Sequence, residues 1–215
     1  IVFLTINCLL YAQKPGGTSL EVELWLKADA INQSNGTNVN SWIDQSGKNR
    51  THIQSGTNSV PVFDKINLMN FQPSLRFAPG VANRKLIYPT HFVEATKSYF
   101  IFYVSRVETN STTRGVVYAF NATRHSDNGW RYGNPSISTA GTGSTYSIES
   151  NADPRRMAGI NTSIRTNSNS IADQLYFNGN LFGTMTNATR IMNTGIGASI
   201  IGNSNTGNEY PFYGN

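Results

Sequence analysis

The chain has 215 residues, of which 38% are hydrophobic and 13% are charged, and its 17 Lys and Arg outnumber 12 Asp and Glu for a net charge of +5. It contains 26 Asn but only one Cys. The length suits one domain with its own core. Turn and strand formers outnumber helix formers, which predicts an all-β protein and argues against helical bundles, coiled coils and transmembrane helices. The basic residues are scattered, which argues against nucleic-acid binding.

The first 12 residues are apolar apart from Thr5 and Asn7, and Gln13 follows them. This stretch is too short to span a bilayer, and its length matches the apolar part of a secretory signal. We therefore predict a partial signal peptide at residues 1–13 and one extracellular or cell-surface domain at residues 14–215. The alternative is a buried first strand. Because Cys8 lies in this segment, the mature domain would depend on packing rather than on disulfides.

Short apolar runs between turn residues predict strands along the rest of the chain. Residues 19–26 alternate between apolar and other side chains, which predicts a strand with Val22 and the three leucines on one face. Two further strands are predicted at residues 60–63 and 74–77. Pro73 is expected at a strand start or a sheet edge, because proline cannot donate a ladder hydrogen bond.

The clearest core strand is predicted at residues 98–105. A continuous apolar and aromatic run is typical of a strand covered on both faces, so we expect it at the centre of the domain. Residues 115–120 form its predicted partner. Residues 106–114 and 161–169 are polar and are interpreted as connections.

A hairpin is predicted where two strand-like runs, residues 174–177 and 181–185, flank Asn178 and Gly179. Asn-Gly is a strong hairpin signal because both residues tolerate positive φ. Residues 196–201 supply a further strand.

Three segments in order resemble the opening of a laminin-G-like, concanavalin A-like jelly-roll domain. They are ELWLKADA at residues 23–30, SWIDQSGKN at residues 41–49 and NFQPSLRF at residues 70–77. The resemblance implies a jelly-roll β-sandwich of two antiparallel sheets, as found in large secreted bacterial surface proteins. In that family the Phe-x-Gly-x segment, here at residues 212–215, runs into a last strand. The resemblance thus implies that this strand, and further domains, lie C-terminal to the sequence.

Catalytic motifs are missing from the sequence. Retaining glycoside hydrolases of this fold carry Glu-x-Asp-x-x-Glu on one strand, and no such motif occurs. Glu21 and Glu23 have the alternate spacing but lack the third acid, and Glu149 lies in a Ser/Asn-rich stretch interpreted as a loop. Zinc-site, nucleophile-elbow and phosphate-loop patterns are also absent. We predict a non-enzymatic protein, with a diverged glycoside hydrolase or lyase as an alternative.

Calcium is the cofactor that the resemblance suggests, since related domains often hold it with loop Asp and Asn. Asp44, in Asp-Gln-Ser-Gly, and Asp127, in Ser-Asp-Asn-Gly, are the candidate ligands. A purely structural turn is the alternative, because Asp and Asn cap their own backbone in such clusters.

The segment at residues 125–134 offers the best candidate ligand site. Aromatic rings supply a broad apolar face and planar side chains supply hydrogen-bonding groups for hydroxyls. The segment combines both in Asp127, Asn128, Trp130, Arg131 and Tyr132. The alternative is a turn and strand whose rings pack into a sheet. We predict a binding or adhesion module for a polysaccharide or a cell-surface glycan or protein, and the other class considered is a structural spacer.

Overall fold

The computed structural model describes residues 14–15, 18–56, 59–69, 71–78, 84–90, 92, 97–108, 115–121, 125–131, 134–141, 144–149, 158–165, 173–185, 198–202, 212 and 214. The predicted signal segment therefore lies outside the described residues. Within those residues the regular structure consists of β-strands and a short 3-10 turn at Ala28–Ala30, with no α-helix. No helix in this part of the chain is long and apolar enough to cross a membrane.

Fourteen strands are described. In chain order they are β1 (Ser41–Trp42), β2 (His52–Ile53), β3 (Val62–Met69), β4 (Gln72–Arg76), β5 (Leu86–Tyr88), β6 (Tyr99–Ser105), β7 (Gly115–Asn121), β8 (His125–Arg131), β9 (Asn134–Gly141), β10 (Ser144–Glu149), β11 (Gly159–Arg165), β12 (Asp173–Phe177), β13 (Asn180–Met185) and β14 (Ser199–Ile201).

The strands form three antiparallel sheets. The large sheet has the order β1-β2-β5-β14-β7-β8-β9-β10, the four-stranded sheet has the order β13-β12-β11-β6, and β3 pairs with β4 as a hairpin. The last strand, β14, lies between β5 and β7 and pairs with both.

One hydrophobic core joins the three sheets. Leu86 and Ile201 enter it from the large sheet, Phe63 and Leu75 from the β3–β4 hairpin, and Phe177 from the four-stranded sheet. Sheets that bury one face against each other in this way form a sandwich. The predicted all-β sandwich of antiparallel sheets is confirmed.

Several predicted elements are confirmed. The β12–β13 hairpin turns at Asn178 and Gly179, whose φ angles are 49° and 79°. Strand β7 begins at Gly115 as predicted, and Pro73 lies at the start of β4, in the two-stranded sheet. The predicted pairing of β7 with β6 is wrong, because β7 pairs with β8 and β14 in the large sheet, whereas β6 pairs with β11.

The predicted strand at residues 19–26 is wrong. The backbone there makes only an isolated bridge, between Leu26 and Asp44, and the Leu20 side chain is 67% exposed. The reason is that the backbone of Trp25 already has partners. Its N–H donates to the Asp44 carboxylate, and the Trp25 C=O accepts from the N–H of Gln45. These groups bind a turn instead of a neighbouring strand.

The interpretation of residues 161–169 as a connection is also wrong, because residues 161–165 belong to β11, inside the four-stranded sheet. Asn161 and Ser163 are fully buried, and the Asn161 amide donates to the Ser105 hydroxyl at 3.2 Å. Polar residues thus face the interior of the sandwich here. A polar sequence pattern does not reveal a buried strand, because the partner of the Asn161 amide, Ser105, is 56 positions away in the sequence.

The Asx turn expected at Asp127 is wrong as well. Asp127 lies inside β8, where it pairs with Ala119 of β7 and Ser138 of β9. Glu149, expected in a loop, is the last residue of β10.

Candidate functional site

The four-stranded sheet exposes one of its faces, which we call the outer face. Along β6, Tyr99 and Ile101 pack against the core, whereas Phe100 and Phe102 are 58% and 67% exposed and Val104 is also exposed. The expectation that this run is covered on both faces is therefore wrong. The strand also lies at an edge of its sheet as described, not at the centre.

The strand register extends this face across the sheet. Thr162 of β11 lies directly opposite Phe102 of β6 on one side and Tyr176 of β12 on the other, and Tyr176 lies opposite Leu181 of β13. Directly opposed residues share a face of an antiparallel sheet. Counted in this way, the outer face comprises Phe100, Phe102, Val104, Ile160, Thr162, Ile164, Gln174, Tyr176, Leu181 and Thr184.

The two phenylalanines form the most exposed aromatic part of this face. Their rings are nearly parallel, with an interplanar angle of 7° and centroids 6.5 Å apart. Adjacent side chains of a strand that share a face are held at a fixed spacing by the backbone. The pair therefore presents two rings in one preset orientation.

The polar groups of the outer face are uncharged. The Tyr176 hydroxyl donates to Oε1 of Gln174 at 3.0 Å, and the Gln174 amide nitrogen carries two further N–H donors. None of the ten residues of the face is charged. The face can therefore offer apolar contact and neutral hydrogen bonds, but no ion pair and no pair of carboxylates for hydrolysis.

The inner side of the sheet holds the outer face rigid. A Cβ on Gly159 would lie 2.1 Å from the Phe177 ring, so that strand and ring are in close contact. Asn178 ties the hairpin turn to β11, since its N–H donates to Ile160 C=O and its Oδ1 accepts from Ile160 N–H, both at 2.9 Å. The outer face is thus supported by a fixed backbone.

The sequence-predicted ligand residues lie elsewhere. Asp127, Asn128, Trp130 and Arg131 belong to β8, in the large sheet, and Tyr132 lies outside the described residues. The structure therefore does not place this segment on the outer face. Sequence reasoning missed the outer face because its strongest signal, the apolar run of β6, is also the signal of a buried strand.

The carboxylate of Asp44, the candidate calcium ligand, already accepts hydrogen bonds from other residues of the chain. Its Oδ1 accepts from the N–H of Trp25 and of Ser46, and its Oδ2 accepts from the Ser46 hydroxyl and from the N–H of Arg50, at 2.7 to 3.0 Å. Burial opposes ionisation of this carboxyl, but these donors outweigh it and lower the pKa of Asp44. The arrangement favours the structural turn. The described residues contain no cluster of three or more possible metal ligands.

The interior holds His52, a residue to which no sequence pattern assigns a role. His52 is fully buried between the rings of Tyr88 and Tyr118, and its Nδ1 lies 2.9 Å from the carbonyl oxygen of Arg50. Burial lowers the pKa of His52 to about 4, so the ring is neutral at pH 7. A neutral, buried ring here serves packing.

Comparisons by sequence gave no relatives: no family model matches, and no curated protein matches. Comparisons by structure gave several. The binding domain of Paraclostridial Mosquitocidal Protein 1 matches with a TM-score of 0.59 and 13% identity, over 83% of this chain and 45% of that one. Domain 4 of AbnA, a GH43 extracellular arabinanase from Geobacillus stearothermophilus in complex with arabinotriose, matches with a TM-score of 0.56 and 14% identity, over 80% and 81% of the two chains.

The binding domain of Botulinum neurotoxin DC, in complex with rat synaptotagmin II, matches with a TM-score of 0.54 and 15% identity, over 78% of this chain and 42% of that one. The chain thus spans less than half of the two toxin binding domains and most of the arabinanase domain. At these identities the likeness concerns the fold alone: the chain has the same β-sandwich architecture as these domains.

Proposed function

We propose that this chain is a non-catalytic binding module that holds a neutral polysaccharide on the outer face. One observation carries the proposal, namely that the parallel Phe100 and Phe102 rings are exposed side by side on the outer face. Leaving large apolar rings in water forgoes about 1.5 to 3 kcal/mol each relative to burial. An exposed apolar patch on a rigid sheet is typical of an interaction surface.

The chemistry of the outer face selects the class of ligand. Sugar rings combine apolar C–H faces with hydroxyls, which match phenylalanine rings bordered by the Gln174 amide and the Tyr176 hydroxyl. The lack of charge on the face disfavours phosphate, sulfate and acidic peptides as ligands. A neutral glycan chain fits best.

The structural neighbours support a binding role. One is the binding domain of a mosquitocidal protein, one is a domain that was solved with arabinotriose, and one is a toxin binding domain that was solved with synaptotagmin II. None of these ligands is assigned to this chain by the likeness. The extracellular setting remains part of the proposal, with a signal at residues 1–13 and a domain at residues 14–215.

The alternatives make different predictions. A structural spacer would need no exposed aromatic patch, which counts against it because Phe100 and Phe102 form one. A diverged hydrolase or lyase would need facing carboxylates, and the outer face has none among its ten positions. The β8 segment with Trp130 remains a second candidate for the ligand, and Asp127 a second candidate for calcium.

Affinity electrophoresis with Phe102→Ser tests the proposal. The intact chain is run through gels that contain neutral polysaccharides such as arabinan, xylan and β-glucan, each with calcium and then with a chelator. We expect one of them to retard the wild-type chain, and the variant to bind about tenfold more weakly, since one phenylalanine contact is lost. The variant should unfold at the same temperature as the wild type because the ring is exposed.

Two further variants serve as a control and as a test of the alternative site. Leu20→Ser removes an exposed apolar side chain from outside the outer face and should leave retardation unchanged. If Trp130→Ala abolishes retardation while Phe102→Ser does not, the ligand binds at β8 and the outer face is excluded. Retardation that vanishes with the chelator would reassign binding to a calcium-dependent site. An absence of retardation in every gel would contradict the proposal and favour the spacer.

A further inference from the structure

The β3–β4 hairpin carries an exposed apolar cluster, which we call the hairpin tip and define as residues 65–69 and Phe71. Ile66 is 74% exposed and Phe71 is 87% exposed, the highest exposure among the described large hydrophobic residues, and Leu68 is also exposed. This cluster is separate from the outer face, because it belongs to a different sheet.

Hydrogen bonds give the hairpin tip a fixed shape. The pairing of β3 with β4 is interrupted between Asp64 and Met69, and the Asp64 carboxylate organises the residues in between. Its Oδ1 accepts from the N–H of Ile66 at 3.0 Å and of Asn67 at 2.9 Å, and its Oδ2 accepts from the Asn67 side chain at 2.9 Å. Ile66 and Asn67 are thus held in a turn around the Asp64 carboxylate.

Phe71 has an unfavourable backbone conformation and an exposed side chain at its position. Its φ of 63° lies in the left-handed region, where Gly or Asn is relaxed and a bulky side chain is strained. Its ring is also left in water. A bulky residue that is both strained and 87% exposed contributes little to the packing of its own domain, which points to a role outside that domain.

We infer that the hairpin tip inserts into the surface of an anionic lipid bilayer. Short apolar protrusions enter the boundary between headgroups and acyl chains, and flanking Lys or Arg side chains bind acidic headgroups. Lys65 lies at the tip and is exposed, and the chain carries a net charge of +5. Asp64 is the only acidic residue among residues 59–78, and its carboxylate is buried and bonded to the tip itself. The apolar tip therefore presents no exposed acidic group to a negative surface.

Vesicle cosedimentation tests this inference. The intact chain is mixed with vesicles of phosphatidylcholine alone and with vesicles that also contain phosphatidylserine, at low and high salt. We expect binding to the anionic vesicles that weakens with salt. We also expect Phe71→Asn to bind them about tenfold more weakly, because one inserted aromatic ring is lost. Since Asn accepts the left-handed conformation, the variant should be at least as thermostable as the wild type.

A matched variant separates this inference from the glycan proposal. Phe102→Ser removes an exposed aromatic ring from the outer face and should bind anionic vesicles like the wild type, while Phe71→Asn should keep its polysaccharide retardation. The inference is overturned if neither kind of vesicle binds the wild type, if both kinds bind it equally at all salt concentrations, or if Phe71→Asn binds unchanged. Should the wild type instead self-associate and Phe71→Asn remain monomeric, the tip docks a second copy of the chain and not a bilayer.

Discussion

A single buried histidine couples the stability of the domain to pH. His52 packs between two tyrosines and contacts the Arg50 carbonyl, and its burial removes the solvent that would hydrate an imidazolium. Its pKa is about 4 in the folded chain, against an ordinary value of 6.5. The unfolded chain therefore binds a proton between these two pH values, whereas the folded chain does not.

We expect the free energy of unfolding to fall as the pH drops from 6.5 toward 4, with a contribution from His52 of about 3 kcal/mol over that range. Chemical denaturation at pH 7 and pH 4.5 measures it. His52→Gln keeps an N–H donor for the Arg50 carbonyl but cannot titrate, so its stability should change less between the two pH values. Equal changes in the two proteins would mean that His52 does not carry this pH dependence.

At the scale of the element, the turn that follows β1 binds the segment at residues 19–26, which was predicted to be the first strand. The Asp44 carboxylate collects three backbone N–H groups and one hydroxyl, and so fixes residues 44–50 against Trp25. A hydrogen bond to a charged acceptor contributes about 1.5 to 3 kcal/mol. Together with the bond from the Trp42 indole to the Lys27 carbonyl, this side chain attaches the N-terminal part of the described chain to the sheet.

Asp44→Asn should lower the free energy of unfolding by about 2 to 3 kcal/mol, because one acceptor oxygen is replaced by a donor that faces N–H groups. Urea denaturation measures the change. Asp29→Asn is the control, since Asp29 forms only an exposed ion pair with Lys27 at 3.4 Å and should change stability by less than about 1 kcal/mol. Because the pKa of Asp44 is lowered, its stabilising effect should disappear only as the pH falls through that lowered pKa.

Melting temperatures measured with and without calcium distinguish a structural turn at Asp44 from a metal site. If the turn is structural, calcium should leave the melting temperatures of wild type and Asp44→Asn equally unaffected. A melting temperature raised by calcium in the wild type alone would assign Asp44 to a metal site after all.

Elements that depend on local chemistry were predictable from the sequence. The β12–β13 hairpin follows from Asn178 and Gly179, whose positive φ angles are a property of the two residues themselves. Strand β11 was not predictable, because its polar residues Asn161 and Ser163 are buried, and the Ser105 hydroxyl that accepts from the Asn161 amide is 56 positions away in the sequence. The outer face was missed for the same reason: the apolar pattern of β6 does not tell whether a second layer covers Phe102.

At the scale of the whole molecule, the end of the described chain closes the core. Phe212 is buried and meets Phe77 edge to face at 5.9 Å, and its N–H donates to the carbonyl of Gly202 at 3.0 Å. Two residues later, Gly214 bridges both Phe77 and Val107. A Cβ on Gly214 would lie 2.0 Å from the Arg106 carbonyl oxygen, so only glycine fits there.

Phe212→Ala should destabilise the domain by about 3 to 5 kcal/mol, the usual cost of a cavity left by a buried phenylalanine. Urea denaturation of the intact chain measures it. Leu20→Ala removes a comparable apolar side chain from an exposed site and should stay within about 0.5 kcal/mol of the wild type. A small effect of Phe212→Ala would mean that this segment does not pack on the core in solution.

The position of β14 has a consequence for how quickly the domain folds. Ile200 pairs with Ile87 and with Ala119, which precede it by 113 and 81 positions (200 minus 87 and 200 minus 119). Until β14 arrives, β5 and β7 have no shared neighbour, so the large sheet remains in two halves with open edges. Such high contact order is associated with folding in milliseconds to seconds rather than microseconds. The halves expose unpaired strands during that interval, so refolding yield should fall as the protein concentration rises.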